Sequence, residues 1–270
     1  MNQFIAAWEF ALKNFQYLFL LVLPVMVSEM LVAYLLIPID GMDPMDISEY
    51  MSGNVASIMI VSLIAIVLSV SLTGGLMVAY LLIPLDGMDP MDISEYMSGN
   101  WTSLMIVSLI AIVLSVSLTG GLMIAYQSIL SQESSNPINA LSAGFKKFFP
   151  LLGASILSSL LIGLGAILLI LPAFYFMGRV YLFPAYIMFE DKGVMDSLRA
   201  SWEATDEHGT TLFFLTLVFF VLTLVPGSLI SGLIFEGNPV AGTIGAGVVE
   251  YICILPWMYI YFSLYKSIKS

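Results

Sequence analysis

Three ionisable residues fall inside long apolar stretches of the chain, where a charged side chain needs a partner or water. They are Glu29, Arg179 and Glu250. Ionisable groups within membrane segments generally pair with one another or line a polar pathway. Two hypotheses follow for this set. Either an arginine–carboxylate pair holds helices together, or Arg179 forms a polar site that binds an anion or a lipid headgroup.

Carboxylates also recur every third residue in two stripes. The stripes are Asp40, Asp43, Asp46 and Glu49, and then Asp86, Asp89, Asp92 and Glu95. A calcium-binding EF-hand loop needs ligands at alternate positions followed by glycine, and both stripes lack that pattern. Spacing by three places the carboxylates along one side of a helix. We therefore expect a solvated face outside the cytoplasm and no metal site.

Other reactive side chains are scarce. The chain has one histidine, His208, and one cysteine, Cys253. A single histidine does not build a metal site, and a single cysteine forms no intramolecular disulfide. The serine-rich pieces at 131–135 and 158–159 have no nearby histidine or general base, which nucleophilic catalysis requires. We expect no enzyme activity, no catalytic residue, no cofactor and no metal.

The composition is that of a membrane protein. Hydrophobic residues make up 60% of the chain, charged residues 10%, and the mean hydropathy is +1.00. Soluble domains carry about 25% charged residues, and runs above about 18 apolar residues indicate membrane spans. The net charge of -11 argues against nucleic-acid binding, which needs a basic face. We predict one all-α membrane domain over residues 1–270, with no removable signal peptide.

A long stretch of this domain occurs twice in tandem. Residues 33–78 are repeated at 79–124. The differing positions are Ile39/Leu85, Val55/Trp101, Ala56/Thr102, Ile58/Leu104 and Val78/Ile124. Near-identity indicates a recent duplication or an engineered insertion, and both stay open. Each copy holds an acidic loop and one apolar segment, so removal of one copy would leave a plausible parent with one span fewer.

Hydropathy predicts a bundle of about seven spans, derived from a six-span parent. The predicted spans are 15–37, 55–82, 101–129, 149–171, 173–189, 211–235 and 241–265. The acidic loops are 40–54, in which Pro44 and Gly53 bound a short helix, and 86–100. Residues 1–14 form either an interfacial helix or an extension of the first span. The polar stretch 190–209 is predicted to be an interfacial amphipathic helix or loop, with Val194, Met195, Leu198 and Trp202 on one face.

Basic residues set the orientation of membrane proteins. They are Lys13, Lys146, Lys147, Arg179, Lys192, Arg199, Lys266 and Lys269. In the six-span parent all of them except Arg179 fall on one side, and an added span puts the two termini on opposite sides. Either all seven segments insert and the N-terminus lies outside, or one copy does not span. We expect a cytoplasmic C-terminus in both cases and favour seven spans.

The stretch 171–205 carries a recognisable pattern. Pro172, Arg179 and Pro184 lie in an apolar segment, followed by Glu190-Asp191-Lys192-Gly193 and a helix with Ser197-Leu198 and Ser201-Trp202. With the sequence ALKNF at 11–15, this pattern resembles the YciC-like family of uncharacterised bacterial inner-membrane proteins. The resemblance covers about 1–37 and 101–270, and the tandem repeat departs from it. It implies a Gram-negative inner membrane and an envelope role, and it brings no established activity.

Two classes of function remain, and a third possibility concerns the repeat. The first class is a non-enzymatic envelope or scaffold protein that binds membrane lipids, another membrane protein or a second copy of itself. The alternative is a small-molecule or ion transporter or channel with a polar site near Arg179. Transporters commonly carry inverted repeats, whereas this repeat is a tandem copy, which favours the first class. The third possibility is an engineered duplication for studying topology and folding.

Overall fold

The structure, a computed structural model, describes residues 2–36, 90–133, 136–168, 170–234 and 239–270. Within these ranges every regular element is helical, so the all-α prediction is confirmed for the part of the chain that is described. The first repeat copy lies outside the described residues except at its first positions. The predicted span 55–82 and the predicted helix 44–52 lie outside them as well.

The described residues form ten α-helices and one π-helical turn. They are α1 (Asn2–Lys13), α2 (Phe15–Leu36), α3 (Pro90–Leu130), α4 (Pro137–Lys146), α5 (Phe148–Leu168), α6 (Ile170–Val180), α7 (Phe183–Glu190), α8 (Val194–Ala204), α9 (Gly209–Leu229), the π turn (Ile230–Ile234) and α10 (Pro239–Lys269).

Four helical stretches among these residues are long and apolar enough to cross a membrane. They are Ile106–Leu130, Phe148–Ala166, Gly209–Gly232 and Ile244–Lys269. The pair Gln3–Lys13 and Phe15–Leu31 also passes when taken together, but it is bent by 83° at the break. The described residues therefore hold four candidate spans, or five if the bent pair counts as one. The count of seven stays a prediction.

The bend lies at Asn14, between α1 and α2. The Asn14 side-chain amide donates a hydrogen bond of 2.8 Å to the Phe10 carbonyl oxygen. Beyond the bend α1 packs back on the bundle, where Phe4 and Trp8 contact the ring of Phe219 at centroid distances of 5.3 and 6.2 Å. A bend this sharp excludes a straight extension of the first span and leaves α1 as a separate helix.

The second acidic stretch is helical from Pro90 onward. Helix α3 begins at Pro90, as proline at a first helical position favours, and continues without a break through Gly99 to Leu130. The prediction of a loop over 86–100 is therefore wrong from Pro90 onward. One glycine inside a helix costs only about 1 kcal/mol relative to alanine, and the many residues around it offset that cost.

The predicted span 173–189 is not one continuous helix, because the chain is interrupted at its centre. Helix α6 ends at Val180 and α7 begins at Phe183. Pro184 has no N–H, so the carbonyl oxygen of Val180 loses its helical partner. With 11 and 8 residues, neither helix has the length of about 20 residues that a bilayer crossing needs.

Helix α10 lies at the centre of the described bundle and contacts α1, α2, α3 and α9. Its buried side chains include Tyr261 and Phe262, which are 1% and 0% exposed. Tyr126 of α3 is completely buried beside it, and its hydroxyl donates a 2.8 Å hydrogen bond to the Leu255 carbonyl oxygen. This packing brings the C-terminal ends of α3 and α10 to the same end of the bundle.

Candidate functional site

Arg179 lies in the last turn of α6 and is only 3% exposed. Its Nη2 donates to the Trp202 carbonyl oxygen at 2.7 Å and to Asp206 Oδ1 at 2.9 Å. Its Nη1 donates to the Tyr175 hydroxyl at 2.8 Å, and its Nε donates to Thr205 Oγ1 at 3.1 Å. Little donor capacity remains on the guanidinium for a bound anion.

The rings of Tyr175 and Trp202 and the first residue of α9 enclose the rest of the Arg179 guanidinium. The guanidinium carbon lies 4.5 Å from the ring centroid of Trp202 and 5.6 Å from that of Tyr175, which are cation–π distances. A Cβ added to Gly209 would stand 3.1 Å from Arg179 Nη1, so the start of α9 closes against the guanidinium. We call Arg179 and its partners Tyr175, Ser201, Trp202, Thr205 and Asp206 the Arg179 clamp.

The clamp also repairs the helix break that Pro184 causes. The Ser201 hydroxyl lies 2.8 Å from the carbonyl oxygens of both Arg179 and Val180, and it accepts the amide proton of Leu182 at 3.1 Å. Buried carbonyl and amide groups that lack partners are costly, so this serine stabilises the break directly. The break and the buried arginine are thus held by one short segment, α8 and the residues that follow it.

The charge of Arg179 is balanced at the surface of the bundle. The Asp206 side chain is 78% exposed, whereas that of Arg179 is 3% exposed. The pair therefore joins a buried cation to a carboxylate in contact with the surroundings. Arg179 lies outside the candidate spans, and its carboxylate partner is Asp206 rather than Glu29 or Glu250.

Glu29 and Glu250 occupy a second polar region, where α2 packs against α10. Both lie inside candidate span segments, and they are 9% and 1% exposed. The Tyr251 hydroxyl donates a hydrogen bond to Glu29 Oε2. Because Glu250 directly precedes Tyr251 in α10, both carboxylates belong to the same part of the contact between α2 and α10. We call Glu29, Tyr251 and Glu250 the carboxylate contact. The three residues that the sequence singled out are therefore divided between two regions.

A third polar region lies at the C-terminal end of α10. Lys269 Nζ lies 2.8 Å from Glu190 Oε1, Lys192 Nζ lies 3.3 Å from Glu190 Oε2, and the Tyr265 hydroxyl donates to Oε1 at 3.0 Å. Burial is the largest single contribution and raises the pKa of Glu190. Hydrogen bonds from Lys269, Tyr265 and Lys192 outweigh it and hold that pKa below its ordinary value.

Two more lysines belong to this region. Lys147 pairs with Asp191, and Lys266 Nζ donates to Gln127 Oε1 at 3.3 Å. We call Lys147, Lys192, Lys266 and Lys269 the basic end. Their contacts hold the C-terminal ends of α3, α4, α7 and α10 together at one end of the bundle.

Helix α4 lies at the basic end and was not predicted from the sequence. Asn136 caps its start by accepting the Ile138 amide proton at 3.0 Å, with Pro137 in the first turn. Its inner face, Ala140 and Gly144, is buried against α3. The available signal was an asparagine cap followed by proline.

The outer face of α4 is apolar, and lysines stand at the C-terminal end of the helix. Ile138 and Phe145 are 71% and 58% exposed, and Phe149 just beyond the helix is 80% exposed. Lys146 is exposed beside them, and Lys147 follows. A helix of 10 residues is too short to span a bilayer, and this pattern is typical of helices that lie in the membrane interface.

An apolar cavity adjoins the clamp. It measures about 350 Å³ and is lined by Leu171, Pro172, Tyr175, Thr210 and Phe213. Tyr175 is shared by the cavity and the clamp. Its lining suits a hydrocarbon chain better than a charged solute.

The clamp contains residues that sequence reasoning missed. The apolar face predicted for the interfacial helix, which includes the 68% exposed Met195, leaves out Ser197 and Ser201, and these two serines are buried. Ser201 and Thr205 are four residues apart and so share a helical face, and that spacing was the available signal. Among the described residues, no group of three or more His, Cys, Asp or Glu side chains is placed to hold a metal ion.

Comparison with known proteins gives one match. A family model described as "Domain of unknown function (DUF7847)" matches residues 98–252. No curated protein and no solved structure matches the chain. The matched region includes α4, α8, the whole Arg179 clamp and Glu250.

Proposed function

The chain belongs to the family described as a domain of unknown function (DUF7847), and from that premise we propose that it is a non-enzymatic integral membrane protein that binds anionic lipid. The binding element is α4 together with Lys147 and Phe149. The Arg179 clamp has a structural role in this proposal, because its donors are occupied by the protein itself.

The arrangement of α4 is the observation that carries the proposal. Its inner face is fixed on α3 through Ala140 and Gly144, so its outer face has a set orientation. That face combines Ile138 and Phe145 with Lys146. Apolar side chains enter the acyl region while lysines stay at the level of the phosphates.

The two lysines at the end of α4, Lys146 and Lys147, support an anionic partner. Lysines near an anionic leaflet contribute about 1 kcal/mol each to lipid binding. Lys147 is partly neutralised by Asp191, so Lys146 provides the larger share.

The placement in the membrane belongs to the same proposal. We infer seven spans, counting segment 55–82 and the interrupted segment 173–189, and a cytoplasmic basic end that includes the C-terminus. Lys266 and Lys269 close α10, and cytoplasmic ends of membrane proteins are enriched in such residues. The resemblance of 171–205 to YciC-like proteins favours a bacterial inner membrane. Another membrane protein or a second copy of this chain is a further candidate partner.

Native mass spectrometry of the protein purified from vesicles containing phosphatidylglycerol and phosphatidylethanolamine tests lipid binding. We expect retained phosphatidylglycerol, and we expect the double variant Lys146→Gln/Lys147→Gln to retain roughly 5- to 30-fold less of it. The matched control is Lys13→Gln/Arg199→Gln, which removes the same charge from exposed positions on α1 and α8.

Two results would contradict the proposal. One is full retention of phosphatidylglycerol by the α4 variant. The other is an equal loss in the α4 variant and the control, which would indicate a diffuse effect of net charge with no defined site.

The carboxylate contact favours a second candidate function, transport of a proton or small cation. Glu29 and Glu250 are buried inside candidate spans, where carboxylates commonly serve ion pathways. A pH-sensitive dye inside proteoliposomes would report proton flux under an imposed potential. Flux that Glu29→Gln abolishes would support this candidate, and absence of flux in the wild type would remove it.

A further inference from the structure

Helix α3 fills a slot in the bundle that demands small residues at fixed positions. A Cβ on Gly120 would stand 2.7 Å from Leu151 Cδ1 and 2.8 Å from Met188 Sδ. A Cβ on Gly121 would stand 3.1 Å from the Ala140 carbonyl oxygen. At Gly120 the nearest atoms are flexible side-chain ends that can shift, whereas at Gly121 they are backbone atoms, which makes Gly121 the tighter position.

The crossing of α3 and α4 is closer still. A Cβ on Gly144 would collide with the carbonyl oxygen of Ser117, so the two backbones touch. Ser117 is 1% exposed, and its hydroxyl turns back to the Val113 carbonyl oxygen at 2.6 Å. The slot therefore accepts a helix with a small residue at the level of Ser117 and a glycine pair just after it.

At the other end of the slot, the buried residue of α3 is aromatic. Tyr126 is 0% exposed, and its hydroxyl donates to the Leu255 carbonyl oxygen at 2.8 Å. Its ring meets Phe10 and Tyr259 edge-on at centroid distances of 5.8 and 5.5 Å. Met123 and Ala125, both 0% exposed, pack between the glycine pair and this tyrosine.

The first repeat copy lies outside the described residues, so its fit to the slot is judged from its sequence. The segment 62–80, made of the end of the first copy and the two residues that follow it, has Ser71, Gly74, Gly75, Met77, Ala79 and Tyr80 at the matching positions. Across 62–80 and 108–126 the two sequences differ only by Val78 in place of Ile124. Ile124 is half-buried, and exchange of isoleucine for valine costs only about 1 kcal/mol.

We propose that this slot, formed by α2, α4, α5, α7 and α10, accepts residues 62–80 in place of residues 108–126. The chain then has one slot and two nearly equal occupants, and whichever copy is displaced lies outside the slot. The proposal concerns helix packing alone and does not depend on lipid binding.

The two occupants differ just after the shared tyrosine. The second copy continues with Gln127 and Ser128, and Gln127 accepts a hydrogen bond from Lys266 at 3.3 Å. Residues 62–80 are followed by Leu81 and Leu82. One exposed hydrogen bond is a weak preference, so both arrangements are populated.

Leucine substitutions at the paired glycines test the exchange. Gly121→Leu blocks the second copy, Gly75→Leu blocks the first, and the double variant blocks both. We expect each single variant to unfold in detergent within about 2 °C of the wild type, and the double variant to unfold about 5–10 °C lower. The control is Gly163→Leu, because a Cβ on Gly163 of α5 meets nothing within 4 Å.

Three results would overturn the proposal. In the first, Gly121→Leu is as damaging as the double variant and Gly75→Leu has no effect, so only the second copy uses the slot. In the second, the two single losses are additive, so each copy has its own place. In the third, the double variant behaves like the wild type, so the slot tolerates leucine.

Cross-linking gives a readout that does not depend on stability. In a Cys253→Ser background, Phe10→Cys is combined with Tyr126→Cys or with Tyr80→Cys and treated with a short thiol cross-linker. We expect intramolecular cross-links from both pairs. Phe10→Cys with Leu109→Cys is the negative control, because Leu109 lies on the exposed side of α3, about 25 Å along the helix from Tyr126. No cross-link from the Tyr80 pair would contradict the exchange.

Discussion

The Arg179 clamp and the carboxylate contact both bury ionisable groups, but they assemble from different parts of the chain. Every partner of Arg179 lies between Tyr175 and Asp206. Glu29 and Tyr251 are 222 residues apart. The clamp therefore forms within one contiguous segment, whereas the carboxylate contact requires the first and last long helices to meet.

The two regions also balance charge differently. In the clamp, the buried Arg179 pairs with Asp206, whose side chain is 78% exposed, so one member of the ion pair is in contact with the surroundings. The carboxylate contact places Glu29 and Glu250 inside candidate spans with almost no exposure. The comparison shows that burial alone does not distinguish the two regions. The sequence distance between partners does: the clamp forms within one segment, whereas the carboxylate contact forms only when distant helices pack together.

The largest expected effect comes from removing the arginine. We expect Arg179→Ala to lower the free energy of unfolding by about 3 kcal/mol, since the Trp202 carbonyl and the Thr205 hydroxyl lose their donor. Arg179→Lys should recover part of the loss, because an ammonium reaches fewer of these acceptors. Thermal unfolding in detergent measures both. Arg199→Ala, at a position with an 80% exposed side chain, is the control, and an equal effect there would break the comparison.

The next effect concerns the carboxylate contact. We expect Tyr251→Phe to cost about 1–2 kcal/mol, because a buried acceptor on Glu29 loses its hydrogen bond. Hydrogen exchange should rise in α2 and α10 and stay unchanged in α8. Increased exchange in α8 would show that the two regions are one cooperative unit and would break the comparison.

Glu190 adds a third carboxylate to the comparison, one of intermediate exposure. Its pKa lies below its ordinary value, so its contribution to stability is present above the ordinary carboxyl range and is lost as the pH falls through the lowered pKa. We expect the unfolding temperature of the wild type to fall on acidification more steeply than that of Glu190→Gln. Parallel curves for the two proteins would exclude this contribution.

The smallest effect should come from Asp206. Because this carboxylate is 78% exposed, we expect Asp206→Asn to cost less than about 1 kcal/mol and the difference to vanish at high salt. Unfolding temperatures at low and high ionic strength measure it. A loss as large as that of Arg179→Ala would mean that the pair behaves as a buried one.

Much of the helical architecture follows from the sequence. The apolar runs that become Phe148–Ala166, Gly209–Gly232 and Ile244–Lys269 were predicted from hydropathy, because bilayer length and composition determine them directly. The interruption at 181–182 was not predicted. Pro184 was visible, but hydropathy does not register the loss of one N–H.

The candidate site was predictable in part. A buried cation such as Arg179 requires compensation, which residue type alone implies. The identity of its partner was not predictable, because Asp206 follows it by 27 residues and reaches it only after α8 folds back. The inward position of Ser201 was missed for the same reason, since its partners are carbonyl groups that the helix break exposes.

The break between α6 and α7 has a consequence for biosynthesis. Each of these helices is too short to partition into a bilayer alone, and Arg179 adds a charge at their junction. Ser201 and Asp206 leave the ribosome 22 and 27 residues after Arg179. For the proposed membrane protein, we therefore expect insertion of this region to wait until α8 has been made.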